Sequence, residues 1–348
     1  MKILMTTDAV GGVWQYSMDL AAGLCSRGAD ILMATLGPRP SDVQRQQASA
    51  IPAITLVESD YPLEWMDNPW SGVDASGDWL LQLQTTYGAD LIHLNGYSHA
   101  ALAWNKPVVI VAHSCVFSWW RAVHGNVPGP EWQEYKSRVM QGLNAASAVI
   151  APTAAMASNL ATEYGIGIDK VKTIHNFSDA TKTVSAEKQP LILAAGRIWD
   201  EAKNLKALSA LSPRLQWELR IADGTLTHAR LLHEMSRAAI FAHPSLYEPF
   251  GLSVLEAAGA HCCLVLSDIP SLRELWDGAA LFIDPHSEQE WVRQLNHLAN
   301  DEGQRNDLAR LAFARSKLYD ADKSIQEYGK LYEYLITATQ WKRKETAA

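Results

Sequence analysis

Two glutamates lie eight residues apart in the stretch HPSLYEPFGLSVLEAAG, residues 243–259. The pattern is that of a strand end, a turn with Glu248, and a helix with Glu256 inside it. A helix N-terminus favours anions, whereas carboxylates accept hydrogen bonds from hydroxyls. A nucleotide sugar fits this pattern, with diphosphate at the helix end and a sugar on each flank. The alternative is a carboxylate that favours the helix dipole and an unrelated helix glutamate.

Two cations follow an earlier apolar run. Arg197 comes directly after it in AAGRIWDEAKN, and Lys203 lies six residues on, at the opening of a helix. Arginine binds phosphate through two parallel hydrogen bonds, and lysine binds it as a point charge. The pair favours a phosphate-rich ligand, with solvated surface charge as the alternative.

The first half has its own candidate residues at strand ends. Gly11 and Gly12 precede a helix that begins near Val13, where glycines allow the backbone to approach an anion. The loop matches neither the GxGxxG fingerprint nor the P-loop, so a tight turn is the alternative. His113 ends the run VVIVAHS, and a histidine there can face a ligand or be a satisfied loop residue.

Apolar runs alternate with helical patterns through the first half, which predicts a parallel sheet covered on both faces. The predicted strands are KILMTT, DILMATLG, AITLVE, ADLIHLNG, PVVIVAHS, ASAVIAPT and VKTIHN. Helical segments are expected around 77–87, 130–145 and 153–163. The first domain is predicted to be 1–178.

The pattern restarts after a polar linker, 179–190, that contains a proline. The second set of predicted strands is LILAAGR, WELRIADG, AIFAHPS, HCCLVLSD and ALFID, followed by helices at 287–300, 303–318 and 322–338. The second domain is predicted to be 179–321. Two doubly wound sheets in sequence predict a ligand cleft that both sets of strand ends face.

Composition excludes several classes of protein. The net charge of −8 offers no basic field for nucleic acid. No apolar run approaches the roughly 18 residues of a membrane span, so a cytoplasmic protein is expected, without excluding peripheral membrane contact. The four cysteines lack zinc or disulfide spacing and are predicted to be reduced packing residues. Asp320 and Asp322 form a DxD that is interpreted as helix capping.

These motifs together resemble glycosyltransferase family 4, retaining enzymes of the GT-B fold. The resemblance lies in the E-x7-E motif from Glu248 to Glu256, the glycine loop at 11–13 and the Arg/Lys pair of GRIWDEAKN. VKTIHNF is similar to the V-x-x-I-x-N-G segment that ends the family's first domain. SDIPSLREL and DGAALFIDP resemble the stretch after its donor site, so the resemblance covers nearly the whole chain.

The resemblance implies a role for each matching residue. Glu248 contacts the donor sugar and Glu256 the ribose, while Arg197 and Lys203 neutralise the leaving diphosphate. His113 lies near the anomeric centre. The other implied substrate-binding residues are Gly11, Gly12, Phe250, Gly251, Leu252 and Ser253. The helix 322–338 is expected to cross back to the first domain.

Two departures from the family pattern stand out. The stretch 225–238 lacks a helix and a strand that partly line the family's nucleobase pocket, so recognition of the base is open. Phe177 stands where a glycine is usual.

The expected activity is transfer of a hexosyl group from a nucleoside-diphosphate sugar to an acceptor hydroxyl, with retention and without metal or cofactor. The acceptor, a small molecule or glycan, is expected near Trp119 and Trp120 in a long loop, 113–132, where a lid without acceptor contact is equally possible. Two alternatives remain open: a nucleotide-sugar epimerase and a non-catalytic nucleotide- or carbohydrate-binding protein.

Overall fold

The structure is a computed structural model that describes residues 1–178 and 186–346, with side chains as far as residue 341. Residues 179–185 of the predicted linker lie outside the described residues. The chain forms two compact units. The first comprises Met1–Ser118, Val127–Ile174 and the chain from Asp322 onward, and the second comprises Trp119–Asn126 and His175–Ala321.

The first unit is built on a seven-stranded sheet in the order β3-β2-β1-β4-β5-β6-β7. Every strand pair in it is parallel. The central strands are apolar and buried along almost their whole length because helices cover both faces. The strands are β1 Lys2–Asp8, β2 Asp30–Leu36, β3 Ile54–Val57, β4 Leu91–Leu94, β5 Val108–Val111, β6 Ala148–Ala151 and β7 Val171–Thr173.

The helices of the first unit begin and end at residues suited to those positions. Ser41 forms a capping box with Gln44, and Thr153 accepts a hydrogen bond from the Met156 N–H. Gly165 ends a helix in the left-handed conformation. These helices are α1 Gly12–Cys25, α2 Asp42–Ser49, α3 Trp70–Tyr87, α5 Gln133–Ala145, α6 Ala154–Tyr164 and the C-terminal α13 Ala321–Thr346.

The second unit contains a five-stranded parallel sheet in the order β12-β11-β10-β8-β9. Its strands are β8 Gln189–Ala195, β9 Glu218–Ala222, β10 Ala238–His243, β11 Cys263–Ser267 and β12 Leu281–Ile283. Its helices are α7 Leu205–Ala210, α8 His228–Arg237, α9 Leu252–Gly259, α10 Pro270–Trp276, α11 Glu288–Asn300 and α12 Glu302–Ser316. Two apolar clusters cover the sheet, one containing Trp276 and the other Trp291.

The shortened stretch 225–238 has a visible consequence in this sheet. Helix α8 ends at Arg237 and β10 starts at the next residue, with no strand between them. Strand β9 is therefore an edge strand that pairs only with β8 in the described part of the chain. The segment after β9 is tied locally, because the Asp223 carboxylate accepts hydrogen bonds from the Thr225 N–H and hydroxyl.

The predicted α/β class with two parallel sheets is confirmed, and the predicted strands correspond to β1–β12. The loop predicted over 113–132 is wrong in part, because helix α4, Val116–His124, lies within it. Phe117 and Ser118 are the buried residues of α4. Its tryptophans and β-branched residues favour helix only weakly, which is why packing rather than local propensity determines the helix.

Helix α13 is longer than the predicted 322–338 and packs on the first unit through tyrosines. The Tyr328 and Tyr16 hydroxyls lie 2.7 Å apart. The predicted capping aspartate Asp322 lies in the first turn of α13 and pairs with Arg27 at 2.7 Å. None of the described helices has the length and hydropathy of a membrane span.

The four cysteines carry free thiols, and three of them, Cys115, Cys262 and Cys263, are buried.

Candidate functional site

Glu248 lies in the turn after β10 and is held by two basic side chains. Its Oε2 atom lies 2.6 Å from the Lys203 Nζ and 3.0 Å from the His243 Nε2. Burial alone would raise the pKa of Glu248, but Lys203 and the hydrogen bond from His243 outweigh it and hold that pKa well below its usual range. Glu248 is therefore a buried carboxylate with one oxygen already engaged.

His243 is the last residue of β10 and is almost fully buried. Burial lowers its pKa despite the neighbouring carboxylate of Glu248, so the ring is neutral and its Nε2–H donates to Glu248. The Ser245 hydroxyl lies 2.9 Å from the same nitrogen. The Ser271 hydroxyl donates to the backbone carbonyl of Glu248, which fixes the turn itself.

Lys203 reaches this turn from a short 3-10 helix, Glu201–Lys203, whose first turn is capped by the Asp200 carboxylate. Asn204 follows in the left-handed conformation, with φ of 53°. Its side-chain amide donates to the carbonyls of Pro244 and Pro285. These bonds anchor the lysine segment to the carboxyl ends of β10 and β12.

Arg197 follows β8 and lies close to an acidic and an aromatic side chain. Its Nη2 atom donates to Asp200 at 2.7 Å, and its guanidinium lies 5.2 Å from the centre of the Trp199 ring. Asp200 also accepts a hydrogen bond from the Trp119 indole, at 3.1 Å. The Arg197 Nε is buried and has no hydrogen-bond partner among the described residues. An unsatisfied buried donor costs about 1–3 kcal/mol, so this nitrogen favours a ligand oxygen.

Glu256 is buried within α9 and is also oriented by a histidine. The His228 Nε2 lies 2.7 Å from Glu256 Oε1, and the Ser178 hydroxyl donates to the same oxygen at 3.4 Å. His228 is the first residue of α8, whose N-terminus is capped by Thr227. The two glutamates thus share one arrangement, in which a histidine binds one carboxylate oxygen.

The N-terminus of α9 lies between the two glutamates in sequence. Gly251 has a φ of 86°, and its missing Cβ would lie 3.1 Å from a Val254 methyl group and 3.4 Å from the Glu248 Cγ. Phe250 is buried against Tyr319, with ring centres 5.6 Å apart. Leu252 begins the helix and Ser253 follows, and a helix start leaves its first N–H groups without partners within the helix.

In the first unit, the glycine loop lies between β1 and α1. Gly11 has a φ of 78°, in the left-handed region that favours glycine, and α1 begins at Gly12. The Asp8 carboxylate accepts a hydrogen bond from the Val10 N–H at 2.8 Å. No side-chain cap occupies the N-terminus of α1.

His113 follows β5 and is half-buried beside Tyr16, with the two ring centres 4.4 Å apart. Its Nε2 lies 2.8 Å from Asn95 Oδ1, and the His93 Nε2 lies 3.2 Å from the same oxygen. Burial lowers the pKa of His113 to about 3, so the imidazole is neutral at physiological pH.

The predicted residues therefore fall into two sets. Arg197, Lys203, Glu248, Glu256 and the start of α9 belong to the second unit, as do Trp119 and Trp120, which are half-buried in α4. Gly11, Gly12 and His113 belong to the first unit. Among the described residues, no group of three histidines, cysteines or acidic residues could hold a metal ion.

Sequence reasoning missed the residues that orient the predicted ones. His243 is the first residue of the stretch that carries Glu248. A histidine at a strand end, five residues before a glutamate in the next turn, is a local pattern that indicates this pair. His228 is 28 positions from Glu256, and Asn95 is 18 positions from His113. No local pattern joins residues at such separations, so only the fold reveals these pairs.

Two family profiles together match most of the chain. Glycosyltransferase Family 4 matches residues 10–182, and Glycosyl transferases group 1 matches residues 168–315. A D-inositol 3-phosphate glycosyltransferase from Xylanimonas cellulosilytica is 26% identical over 91% of this chain and 90% of its own length.

Solved structures share the fold over almost the whole chain. Sucrose-phosphate synthase from Thermosynechococcus elongatus superimposes with a TM-score of 0.80 at 17% identity, covering 97% of this chain and all of that one. Anabaena Alr3699/HepE in complex with UDP-glucose gives 0.73 at 18% identity, covering 96% of this chain and 100% of that one. The resemblance found in the sequence is confirmed: the chain belongs to glycosyltransferase family 4 and has the GT-B fold.

Proposed function

We propose that the protein transfers a hexosyl group from a nucleoside-diphosphate sugar to an acceptor hydroxyl with retention of the anomeric configuration. The observation that carries the proposal is the Arg197 side chain, which has a buried Nε without a partner among the described residues. A diphosphate oxygen would satisfy that donor and add a second hydrogen bond at the same guanidinium. Lys203 supplies a second cation in the same unit.

The two glutamates support a sugar on each side of the diphosphate. Glu248 Oε2 is bound by Lys203 and His243, while no hydrogen bond reaches its Oε1 within the described ranges. Glu256 Oε1 is bound by His228 and Ser178, and its Oε2 likewise has no partner in the described part of the chain. We propose that Oε1 of Glu248 accepts from the transferred sugar and Oε2 of Glu256 from the ribose.

The proposed reaction needs a stabilised leaving group more than a strong base. The bond between the anomeric carbon and the phosphate oxygen breaks while the acceptor oxygen bonds to that carbon from the same face. The acceptor proton passes to the leaving diphosphate oxygen. Arg197, Lys203 and the N–H groups at the start of α9 stabilise the charge that develops there, and one such donor contributes roughly 10²- to 10³-fold in rate. The two cations make the proposed transfer independent of metal.

The first unit is assigned its roles from the family resemblance. We propose that Gly11 and Gly12 contact the donor phosphates and that His113 contacts the transferred sugar. Trp119 and Trp120 are proposed to bind an acceptor that carries hydroxyl groups, because aromatic faces suit sugars and flat small molecules. Since the solved HepE complex holds UDP-glucose, UDP-glucose is the first donor to test.

The test separates the proposed roles of the two glutamates. Binding of UDP, GDP, ADP and dTDP, each with and without a glucosyl group, is measured by thermal shift and calorimetry. We expect Arg197→Ala to weaken binding of both the preferred nucleoside diphosphate and its glucosyl form. Glu256→Gln should also weaken binding of both ligands, whereas Glu248→Gln should weaken binding of the glucosyl form only. Arg293→Ala is the control, because Arg293 forms a comparable carboxylate pair on the exposed side of α11.

Turnover is then followed with the preferred donor and a panel of sugar and polyol acceptors. Release of nucleoside diphosphate that depends on the acceptor supports transfer. Normal rates in both Arg197→Ala and Glu248→Gln would refute the assignment. An epimerised donor formed without acceptor indicates an epimerase, and binding without any sugar consumption indicates a non-catalytic protein.

A further inference from the structure

Asn95 lies directly after β4, and its side-chain amide makes four hydrogen bonds within the first unit. The Nδ2 group donates to the Thr6 carbonyl at 2.7 Å and to the Ser17 hydroxyl at 3.0 Å. The Oδ1 atom lies 2.8 Å from the His113 Nε2 and 3.2 Å from the His93 Nε2. Two donors and two acceptor positions are the full capacity of an asparagine amide.

The Thr6 carbonyl determines the orientation of the Asn95 side-chain amide. A carbonyl oxygen can only accept, so the atom 2.7 Å from it must be the amide nitrogen. A flipped amide would bring two oxygens into contact. The backbone N–H of Asn95 also donates to the Thr6 hydroxyl, at 3.0 Å, which holds the residue in register with β1.

The amide orientation in turn fixes both histidine tautomers. Because Oδ1 can only accept, the Nε2 atoms of His93 and His113 must both carry a proton. The His93 Nδ1 is then an acceptor, and the Tyr332 hydroxyl donates to it at 2.5 Å. The His113 Nδ1 likewise carries a lone pair, and no protein donor reaches it in the part of the chain that the structure describes.

The surroundings keep both rings uncharged. Burial lowers the pKa of His93 to about 4 and that of His113 to about 3. The titratable side chains that face them are Tyr16, Tyr328 and Tyr332, all buried. Burial raises the pKa of each of these tyrosines, so they remain neutral hydroxyls.

We propose that Asn95 is a positioning residue that holds His113 in its Nε2-protonated form, so that the Nδ1 atom accepts a hydrogen bond from a hydroxyl of the transferred sugar. This inference rests on the proposed function for the sugar contact. The chain of positioning groups runs from Tyr332 of α13 through His93 and Asn95 to His113. It makes the C-terminal helix part of the support of a substrate-binding residue.

The first test needs no substrate. Side-chain nitrogen NMR of protein labelled with ¹⁵N-histidine reports which ring nitrogen carries the proton, and His113→Asn identifies the His113 signals. We expect a neutral, Nε2-protonated ring that does not titrate between about pH 5 and 8. A ring protonated at Nδ1, or one that titrates within that range, overturns the proposal.

The second test uses variants. Asn95→Ala should release the His113 ring into a mixture of tautomers and weaken UDP-glucose roughly tenfold relative to UDP, the change expected for one lost hydrogen bond to the sugar. A folded Asn95→Ala protein that keeps the single tautomer contradicts the positioning role. If this variant does not fold, the NMR spectrum of the unaltered protein and the variants Tyr332→Phe and Tyr328→Phe test the proposal.

Two buried tyrosines of α13 provide a matched pair. Tyr332→Phe removes the hydroxyl that donates to His93, whereas Tyr328→Phe removes one bonded to the Tyr16 hydroxyl. Asn95 keeps the His93 proton on Nε2 in both variants. We therefore expect a shifted His93 Nδ1 signal and a severalfold weaker UDP-glucose affinity only for Tyr332→Phe, which loses the hydrogen bond to Nδ1. Equal effects of the two variants on the His93 signals contradict a positioning role for Tyr332.

The outcomes separate this inference from the proposed function. The NMR result stands even if no nucleotide sugar binds. If the predicted tautomer is found and no donor binds, the proposed function fails while the positioning of His113 holds. If a donor binds but His113 has the other tautomer, only the positioning role fails.

Discussion

The two units hold their candidate residues by different means. In the second unit, ionised side chains face each other, as in the pairs Lys203–Glu248 and Arg197–Asp200. In the first unit, His113 is held by neutral groups only, through Asn95, His93 and Tyr332. The charged site is suited to a ligand that carries charge, and the neutral site to one that offers hydroxyls.

The difference also determines how each site responds to change. A buried charge that loses its partner is strongly destabilised, whereas a neutral group loses one hydrogen bond. The two sites also differ in the longest separation in sequence between hydrogen-bonded partners. Lys203 and Glu248 are 45 positions apart, and Arg197 and Asp200 three, while His93 and Tyr332 are 239 apart. The neutral site depends on the whole first unit.

The largest effect is expected for Lys203→Met, which leaves the Glu248 carboxylate buried without its cation. We expect the local stability of the second unit to fall by about 3 kcal/mol at pH 7. Native-state hydrogen exchange of peptides that cover β8 and β10 measures the loss. Lys206→Met is the control, because Lys206 is exposed on the adjacent helix α7.

The same variant has a defined pH dependence. The depressed pKa of Glu248 stabilises the native state above the ordinary glutamate pKa of roughly 4.3, and this contribution is lost as the pH falls below it. Without Lys203, burial raises that pKa, so the variant gains from protonation of Glu248. The difference between the two proteins should narrow below about pH 4.5. A difference in stability that stays constant with pH would contradict the ion pair between Lys203 and Glu248.

A neutral buried histidine gives the next largest effect. The unfolded chain binds a proton at His93 near pH 6.5, but the folded protein does so only near pH 4. Stability from this residue is therefore complete above about pH 6.5 and is lost as the pH falls toward 4. Between pH 7.5 and 5 we expect His93 alone to contribute a loss of about 2 kcal/mol in the first unit, in addition to the loss from His113, whose pKa burial also lowers.

His93→Gln tests this assignment, because glutamine can donate to Asn95 and accept from Tyr332 without titrating. The variant should lose about 2 kcal/mol less than the unaltered protein over that range, measured by exchange of peptides that cover β4 and corrected for the pH dependence of the intrinsic rate. His297→Gln, at an exposed position of α11 in the second unit, is the control and should leave the exchange of the β4 peptides unchanged. A His93→Gln curve parallel to the original refutes a neutral His93.

A smaller effect is expected from the backbone at the start of α9. Gly251→Ala and Gly278→Ala both place a side chain at positive φ, 86° and 75°, which costs about 1 kcal/mol. Only at Gly251 would the added Cβ contact neighbouring atoms, including Glu248. Gly251→Ala should lose at least as much stability in urea as Gly278→Ala, while only Gly251→Ala weakens nucleotide-sugar binding. Equal affinities would show that the α9 turn does not position Glu248.

The charged site was largely predictable from sequence and the neutral site was not. Glu248, Lys203 and Arg197 follow strand ends in short segments whose residue types indicate their chemistry. His113 was predicted from its place after β5, but its partner Asn95 belongs to another strand and its support reaches Tyr332 of α13. Helix α4 was missed because its tryptophans favour helix weakly. The order of strands in a sheet and the tautomer of a ring are set by packing across the unit, which a local pattern does not contain.

The smallest effect concerns how Arg197 is oriented. Trp119 donates its indole N–H to Asp200, which pairs with Arg197, whereas the neighbouring Trp120 donates to Asn126. Trp119→Phe keeps the ring but removes this hydrogen bond, worth roughly 1 kcal/mol or less at a part-buried position. We therefore expect a weakening of about threefold to fivefold in nucleoside diphosphate affinity, measured by calorimetry. Trp120→Phe should weaken this affinity by less than Trp119→Phe does. A larger effect of Trp120→Phe would show that Asp200 holds Arg197 without the hydrogen bond from Trp119.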